Sequence, residues 1–405
     1  MKYQSPNTAN EINTQIIIKP MQSIEFTILM PCLNEEDTIE SCIIKAYSSI
    51  NKNNISAEVL VVDNGSSDNS VSIARHNNAR VISVEEKGYG AALQAGIKNA
   101  KGKYIIMGDS DCSYDFGELT LFIEKLRGGY DLVMGNRFKG GIKKGAMPFL
   151  HRYLGNPVLS FIGRLFFRSS IGDFHCGLRG FNRQSIINID LTTTGMEFAS
   201  EMVVKASLSK LKITEVPTIL YPDGRKRPSH LRTWHDGWRH LRFLLIYSPK
   251  WLFFYPGMLM LIAGMVLSTI LTVHQIHIGH VNFDIHTLLY TITLFYIGYQ
   301  FITFYIFSKY YGVQNKLLPP TKMFSRLFKL FSLERGLLIG AAFLLAGIIF
   351  SLKAFLIWQE TGFGNLDTVR TIRLAIPAVF LILVGVQTIL NSFFLSILQL
   401  ESMQK

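Results

Sequence analysis

Cysteine is scarce in this 405-residue chain: Cys32, Cys42, Cys112 and Cys176 form no C-x-x-C pair and match no zinc spacing with histidine. That excludes a disulfide scaffold and a zinc module, and it leaves reduced thiols in a reducing compartment. His175 and Cys176 are adjacent, but neighbours on a chain seldom point together, so no nucleophile pair is expected. Glycine is missing from Pro31-Cys32-Leu33-Asn34-Glu35-Glu36, the turn after the first strand, which excludes a Rossmann dinucleotide site, and a P-loop is absent as well. The N-terminus is expected to carry no signal peptide, because Ile16-Ile17-Ile18 is too short a run.

Charge is almost absent from four long apolar runs: 251–273, 287–307, 336–358 and 374–397. Each is near or above the span of a bilayer. Lys353 lies near the end of its run, where a long side chain snorkels. The loop 274–286 has no Lys or Arg, whereas Lys309, Lys316, Lys322, Arg326, Lys329 and Arg335 follow the second run. The basic segments fall on one side, which predicts four spans with both termini and the N-terminal part in the cytoplasm. Three parts follow: an N-terminal extension over 1–23, a cytoplasmic domain over 24–250 and a membrane domain over 251–405. Residues 321–333 mix basic and bulky apolar side chains and predict an interfacial helix. Trp234 and Trp238, one turn apart, are expected to anchor at the interface. The net charge of +12 gathers beside the spans, which points to lipid headgroups or a phosphorylated lipid rather than nucleic acid.

Between residues 24 and 135 short apolar runs alternate with helical patterns. Strands are predicted at 26–30, 58–62, 81–84, 104–108 and 131–135, with helices at 35–49, 67–76, 90–99 and 116–127. This predicts an α/β fold, a mostly parallel sheet with flanking helices, followed by an all-α membrane region. Ligands in such sheets sit at the carboxyl ends of the strands. Three of those ends are acidic or amidic: Asn34-Glu35-Glu36, Asp63-Asn64 with Asp68, and Asp109-Ser110-Asp111. Ser67, Glu36 and Asp37 fit helix-capping and first-turn roles, which do not account for Asp63, Asp109 and Asp111. Two carboxylates one residue apart after a buried strand suit a hard divalent cation on a diphosphate. Lys87-Gly88-Tyr89-Gly90, before a helix, either approaches a phosphate or ribose or is a plain glycine turn.

These motifs, with Gly135-Asn136-Arg137-Phe138 and the run Asp173–Phe181, resemble the inverting GT-A glycosyltransferases of family 2 over about residues 24–250. The closer likeness is to the branch of dolichyl-phosphate mannosyltransferases and polyprenyl-phosphate glycosyltransferases. The resemblance implies a nucleotide diphosphate sugar as donor, bound by Pro31, Leu33, Asn34, Glu35, Asp63, Lys87 and Asp109, and Mg2+ or Mn2+ on Asp109 and Asp111. It implies Asp111 and Arg137 as catalytic residues. The polyprenyl phosphate would meet Arg137, Arg179, Arg225 and Arg232. One departure is Ser113, where relatives often carry Gln, so water is expected in place of a third side-chain ligand.

A phosphate acceptor is already ionised and needs no general base, whereas a hydroxyl acceptor would need one, with Glu197 and Asp173 as candidates. A processive polysaccharide synthase is a second reading, but its Gln-x-x-Arg-Trp motif is absent. A non-catalytic nucleotide-sugar binder is the third, and the presence of both Asp109 and Asp111 speaks against it.

Overall fold

The computed structural model describes residues 23–225, 233–315, 317–319, 332–365 and 367–403. Arg232, most of the expected interfacial segment 321–333 and nearly all of 1–23 lie outside the described residues.

The first half alternates as predicted: β1 Phe26–Cys32, α1 Ile39–Lys52, β2 Ala57–Asp63, α2 Ser70–His76, β3 Arg80–Ser83, α3 Tyr89–Asn99, β4 Tyr104–Met107, α4 Thr120–Arg127 and β5 Leu132–Asn136. After it come α5 Arg137–Gly140, a π-helical turn His151–Gly155, α6 Asn156–Phe167, β6 Arg179–Asn182, α7 Arg183–Asn188, α8 Phe198–Leu208, β7 Ile213–Pro217 and α9 Thr233–Ile246. Seven strands form one sheet in the order β3-β2-β1-β4-β6-β5-β7. All neighbours are parallel except β6, which runs antiparallel between β4 and β5.

Strand side chains alternate between two buried layers, as a sheet covered on both faces requires. Ile28, Met30, Val59, Val61 and Ile106 pack with α1 and α4, while Leu29, Leu60, Val62, Ile105 and Met107 pack with α3 and α8. Register sets the strand ends side by side. Cys32 lies opposite Asp63, and Met107 opposite Leu29, so the chain leaving β4 runs along the exit of β1.

Among the described residues, the second half holds four helices long and apolar enough to cross a membrane. They are α10 Tyr255–Val273, α11 Ile285–Gln314, α12 Leu333–Glu360 and α13 Thr368–Met403, with a short hairpin of β8 Ile276–Ile278 and β9 Val281–Phe283 after the first. Small residues let α12 and α13 approach closely: a Cβ on Gly340 would lie 2.9 Å from the Gly385 carbonyl oxygen. The α11 helix outruns its predicted span, and Val313, Leu317 and Leu318 beyond it pack against the core of the sheet domain.

Candidate active site

The three acidic strand ends form one rim, laced by short hydrogen bonds. Asn34 sits in the left-handed region (φ 57°), which turns its carboxamide back toward β2. Its N–H donates to Ser66 Oγ at 2.9 Å, and its Oδ1 accepts the Ser67 N–H at 2.7 Å. Ser110 Oγ donates to the Pro31 carbonyl at 2.7 Å, and Thr38 Oγ1 donates to the Ser110 carbonyl at 2.8 Å. Asp63 is buried and accepts the N–H groups of Gly65 and Ser66, holding the turn after β2. Leu33 stays exposed at the mouth.

Asp109 and Asp111 take different partners. Asp109 Oδ1 accepts the Tyr89 hydroxyl at 2.9 Å. Burial and the neighbouring charge of Asp111 push its carboxyl up to about 6. Asp111 Oδ1 accepts the Ser113 N–H, and its Oδ2 lies 2.9 Å from Arg225 Nη2. Arg225 also reaches Glu35, with Nε 3.0 Å from Oε1. It arrives on a strap that crosses the site: Tyr221 N–H bonds to the Ser113 carbonyl and Gly224 N–H to the Asp111 carbonyl. The arginine expected at the acceptor phosphate is therefore clasped by Asp111 and Glu35.

The pair fits a divalent cation. Two hard oxygen donors lie one residue apart, and Asp109, raised first by burial and then by the charge of Asp111, faces a like charge that a cation would relieve. No cluster of three or more His, Cys, Asp or Glu suited to a metal exists among the described residues. Protein would supply two side chains, with ligand oxygens and water for the rest.

Arg137 lies at the end of β5 in a buried fork with Asp173, Nε to Oδ2 and Nη2 to Oδ1 both at 2.7 Å. Asp173 is 0% exposed and committed to that pair, so it is not available as a general base. Glu197, the other candidate base, pairs with Arg239 at 2.7 Å. Arg179 requires a correction. It is 0% exposed, and its three nitrogens donate to the carbonyls of Cys176, Ala199 and Phe174. It opens β6 opposite Met107 and Met134, beneath the rim, and ties the 174–176 loop to α8 instead of facing an acceptor.

Lys87 lies over the turn after β2, with Nζ 2.9 Å from the Asn64 carbonyl. The glycines beside it have a packing reason: Gly88 (φ 137°) lies so near the Thr194 carbonyl that no Cβ fits. Burial pushes the Cys176 thiol up to about 12, so it is no nucleophile.

Three contributors were not picked out from sequence. Tyr89 was seen only as part of a glycine turn, and its hydroxyl on Asp109 depends on α3 packing beside β4. Thr38 reaches from before α1 to the loop after β4. Ser200 links His175 and His240, at 3.3 and 2.8 Å, across three separate elements.

Residues 27–190 match the model for glycosyl transferase family 2, and residues 306–399 match the family 2 C-terminal transmembrane region. A low-salt glycan biosynthesis hexosyltransferase of Haloferax volcanii is 37% identical over 372 residues, 91% of this chain and 88% of that protein. A dolichyl-phosphate hexose transferase of the same organism is 32% identical over 194 residues, 48% of this chain and 81% of that one. Glucosyl-3-phosphoglycerate synthase of Mycobacterium tuberculosis, solved with Mn2+ and UDP, superposes with a TM-score of 0.42 at 21% identity, covering 55% of this chain and 77% of that one. At that distance neither its ligands nor its residues carry over.

Proposed function

The chain belongs to glycosyltransferase family 2, with that family's C-terminal transmembrane region, and we propose that it transfers a sugar from a nucleotide diphosphate sugar to a polyprenyl monophosphate, inverting the anomeric centre. One observation carries the reading. Arg225, clasped by Asp111 and Glu35 at the donor rim, begins the short stretch of chain that runs through α9 into the first span. The carboxylate rim and the entry to the first span thus lie close together in sequence, which supports an acceptor held at the membrane surface.

In this reading Pro31, Leu33, Asn34, Glu35, Asp63 and Lys87 receive the nucleoside and ribose. Mg2+ or Mn2+ held by Asp109 and Asp111 would offset the charge of the departing nucleoside diphosphate. Arg137, its guanidinium oriented by Asp173 through Nε and Nη2, meets the acceptor phosphate with Arg225 and Arg232. A phosphate oxygen attacks the anomeric carbon in one displacement, so no enzyme nucleophile and no base are needed. A hydroxyl acceptor is disfavoured because Asp173 and Glu197 are both committed to arginines. The basic loop after the second span supports a catalytic domain on the cytoplasmic face. The name of the dolichyl-phosphate relative supports the same acceptor class.

The test supplies purified protein in detergent or proteoliposomes with a panel of labelled nucleotide sugars, Mg2+ or Mn2+, and polyprenyl phosphate. Label extracted into organic solvent and released by mild acid is the expected product. Absence of such product with every common donor, or label in a long water-soluble polymer, overturns the proposal.

A further inference from the structure

From Arg137 through Gly172 the chain has seven Lys or Arg residues, Arg137 included, and no Asp or Glu. Within this arm, Leu154, Val158, Phe161 and Leu165 line one side of the π-helical turn and α6, at spacings of four, three and four, and all are exposed. The opposite side, Ser160, Gly163 and Phe167, is buried against the sheet domain. Phe149, 74% exposed, with Leu150 and Tyr153, continues the apolar stripe ahead of the helix. Arg152 stacks over the Tyr153 ring, Arg164 lies exposed on α6 and Arg168 lies exposed just after it. So broad an apolar surface on a water-facing helix calls for a partner.

Position identifies the partner. Phe166 stacks on Trp251 at 5.4 Å and 17°, and Trp251 opens the first span. The same helix packs against α9, whose Trp234 and Trp238 are 78% and 60% exposed. The apolar stripe is thus continuous with the level at which the chain enters the membrane, and its rim is cationic. We propose that residues 149–165 form a membrane-dipping arm, seated among the headgroups and upper acyl chains of an anionic leaflet, with the catalytic domain held down on the bilayer at a second place besides the spans. The inference rests on the reading that α10 to α13 span a bilayer.

The experiment uses the full chain with Cys112→Ala, since the other three native thiols are buried. Single cysteines are introduced as Phe161→Cys, Leu259→Cys in the first span and Ile44→Cys on the far layer, and each is labelled with a small fluorophore. Proteoliposomes of phosphatidylcholine and phosphatidylglycerol carry a nitroxide near the headgroup end of the acyl chain. The Phe161 and Leu259 labels are expected to be quenched by the nitroxide and lost to aqueous iodide, while the Ile44 label responds only to iodide. A Phe161 label that behaves like Ile44 while Leu259 is quenched overturns the arm and leaves the spans standing. A Leu259 label that also escapes the nitroxide removes both. Shielding of Phe161 that vanishes at one chain per vesicle assigns the stripe to a second copy and likewise overturns the proposal.

Discussion

Arg137 and Asp173 hold one another in a two-pronged ion pair inside the fold, separated by 36 positions in sequence. Removing one partner strands a buried charge, so Asp173→Leu is expected to lower stability by about 3–5 kcal/mol. Thermal unfolding in detergent reads this as a lower Tm. Arg137→Lys does not restore the pair, because an ammonium cannot match both carboxylate oxygens. The double variant Arg137→Leu/Asp173→Leu recovers much of the Tm yet stays inactive; recovered activity would exclude Arg137 from the chemistry.

Arg225 neutralises Asp111 and Glu35 with its own charge. In the absence of donor it would compete with a divalent cation held on the same carboxylate. Arg225→Ala is expected to tighten Mn2+ binding about tenfold, or roughly 1.4 kcal/mol, while transfer falls. A Mn2+ titration followed by electron paramagnetic resonance measures the first effect, and product formation the second. Unchanged Mn2+ affinity would remove Arg225 from the cation's surroundings.

Asp111→Asn keeps the size of the side chain and its contact with the Ser113 N–H but loses the charge. Turnover is expected to fall by roughly 10²–10³-fold, the usual effect of deleting one group that stabilises developing charge. Circular dichroism should show the fold unchanged. Full activity in this variant would move the cation elsewhere.

Burial and Asp111 raise the Asp109 carboxyl above its ordinary value to about 6 in the fold, with Tyr89, Arg179 and Arg225 also facing it. The neutral acid is the form the fold favours, so the metal-free protein gains stability from Asp109 at low pH and loses it as pH rises through about 6. Cation binding runs the other way and strengthens over the same interval, with release of protons. Calorimetry of Mn2+ binding at several pH values checks this. Asp109→Asn should flatten both profiles, and profiles that persist would assign the titration to another group.

The strand ends were legible because alternation of apolar and polar runs fixes where a parallel strand stops, and Asp63, Asp109 and Asp111 all fell at those stops. Strand β6 was not legible as a strand. Arg-Gly-Phe-Asn is too short to show a period, and its antiparallel place between β4 and β5 is decided by partners far away in sequence. Arg179 reads as a phosphate ligand until its carbonyl acceptors on α8 and the 174–176 loop come into contact. The apolar stripe of α6 is not legible in the sequence, because its run is too short for a span and has the composition of a core helix. Only burial distinguishes the side that packs from the side that does not.

Because β5 and β6 are adjacent and antiparallel, the chain departs from the sheet and rejoins it at neighbouring places, and the Arg137–Asp173 clasp fastens the base of the excursion. Changing the length of such a loop alters its closure entropy only slowly. Residues 141–170 are nevertheless a loop whose inner side is fixed by the fold, through the Ile142–Leu220 bridge, the Ser160 hydroxyl on the Phe174 N–H and Phe167 in the core. Ile142, Met147, Leu159, Ile162, Phe166 and Phe167 must keep their inward packing, whereas the outer side carries no such constraint from the sheet domain.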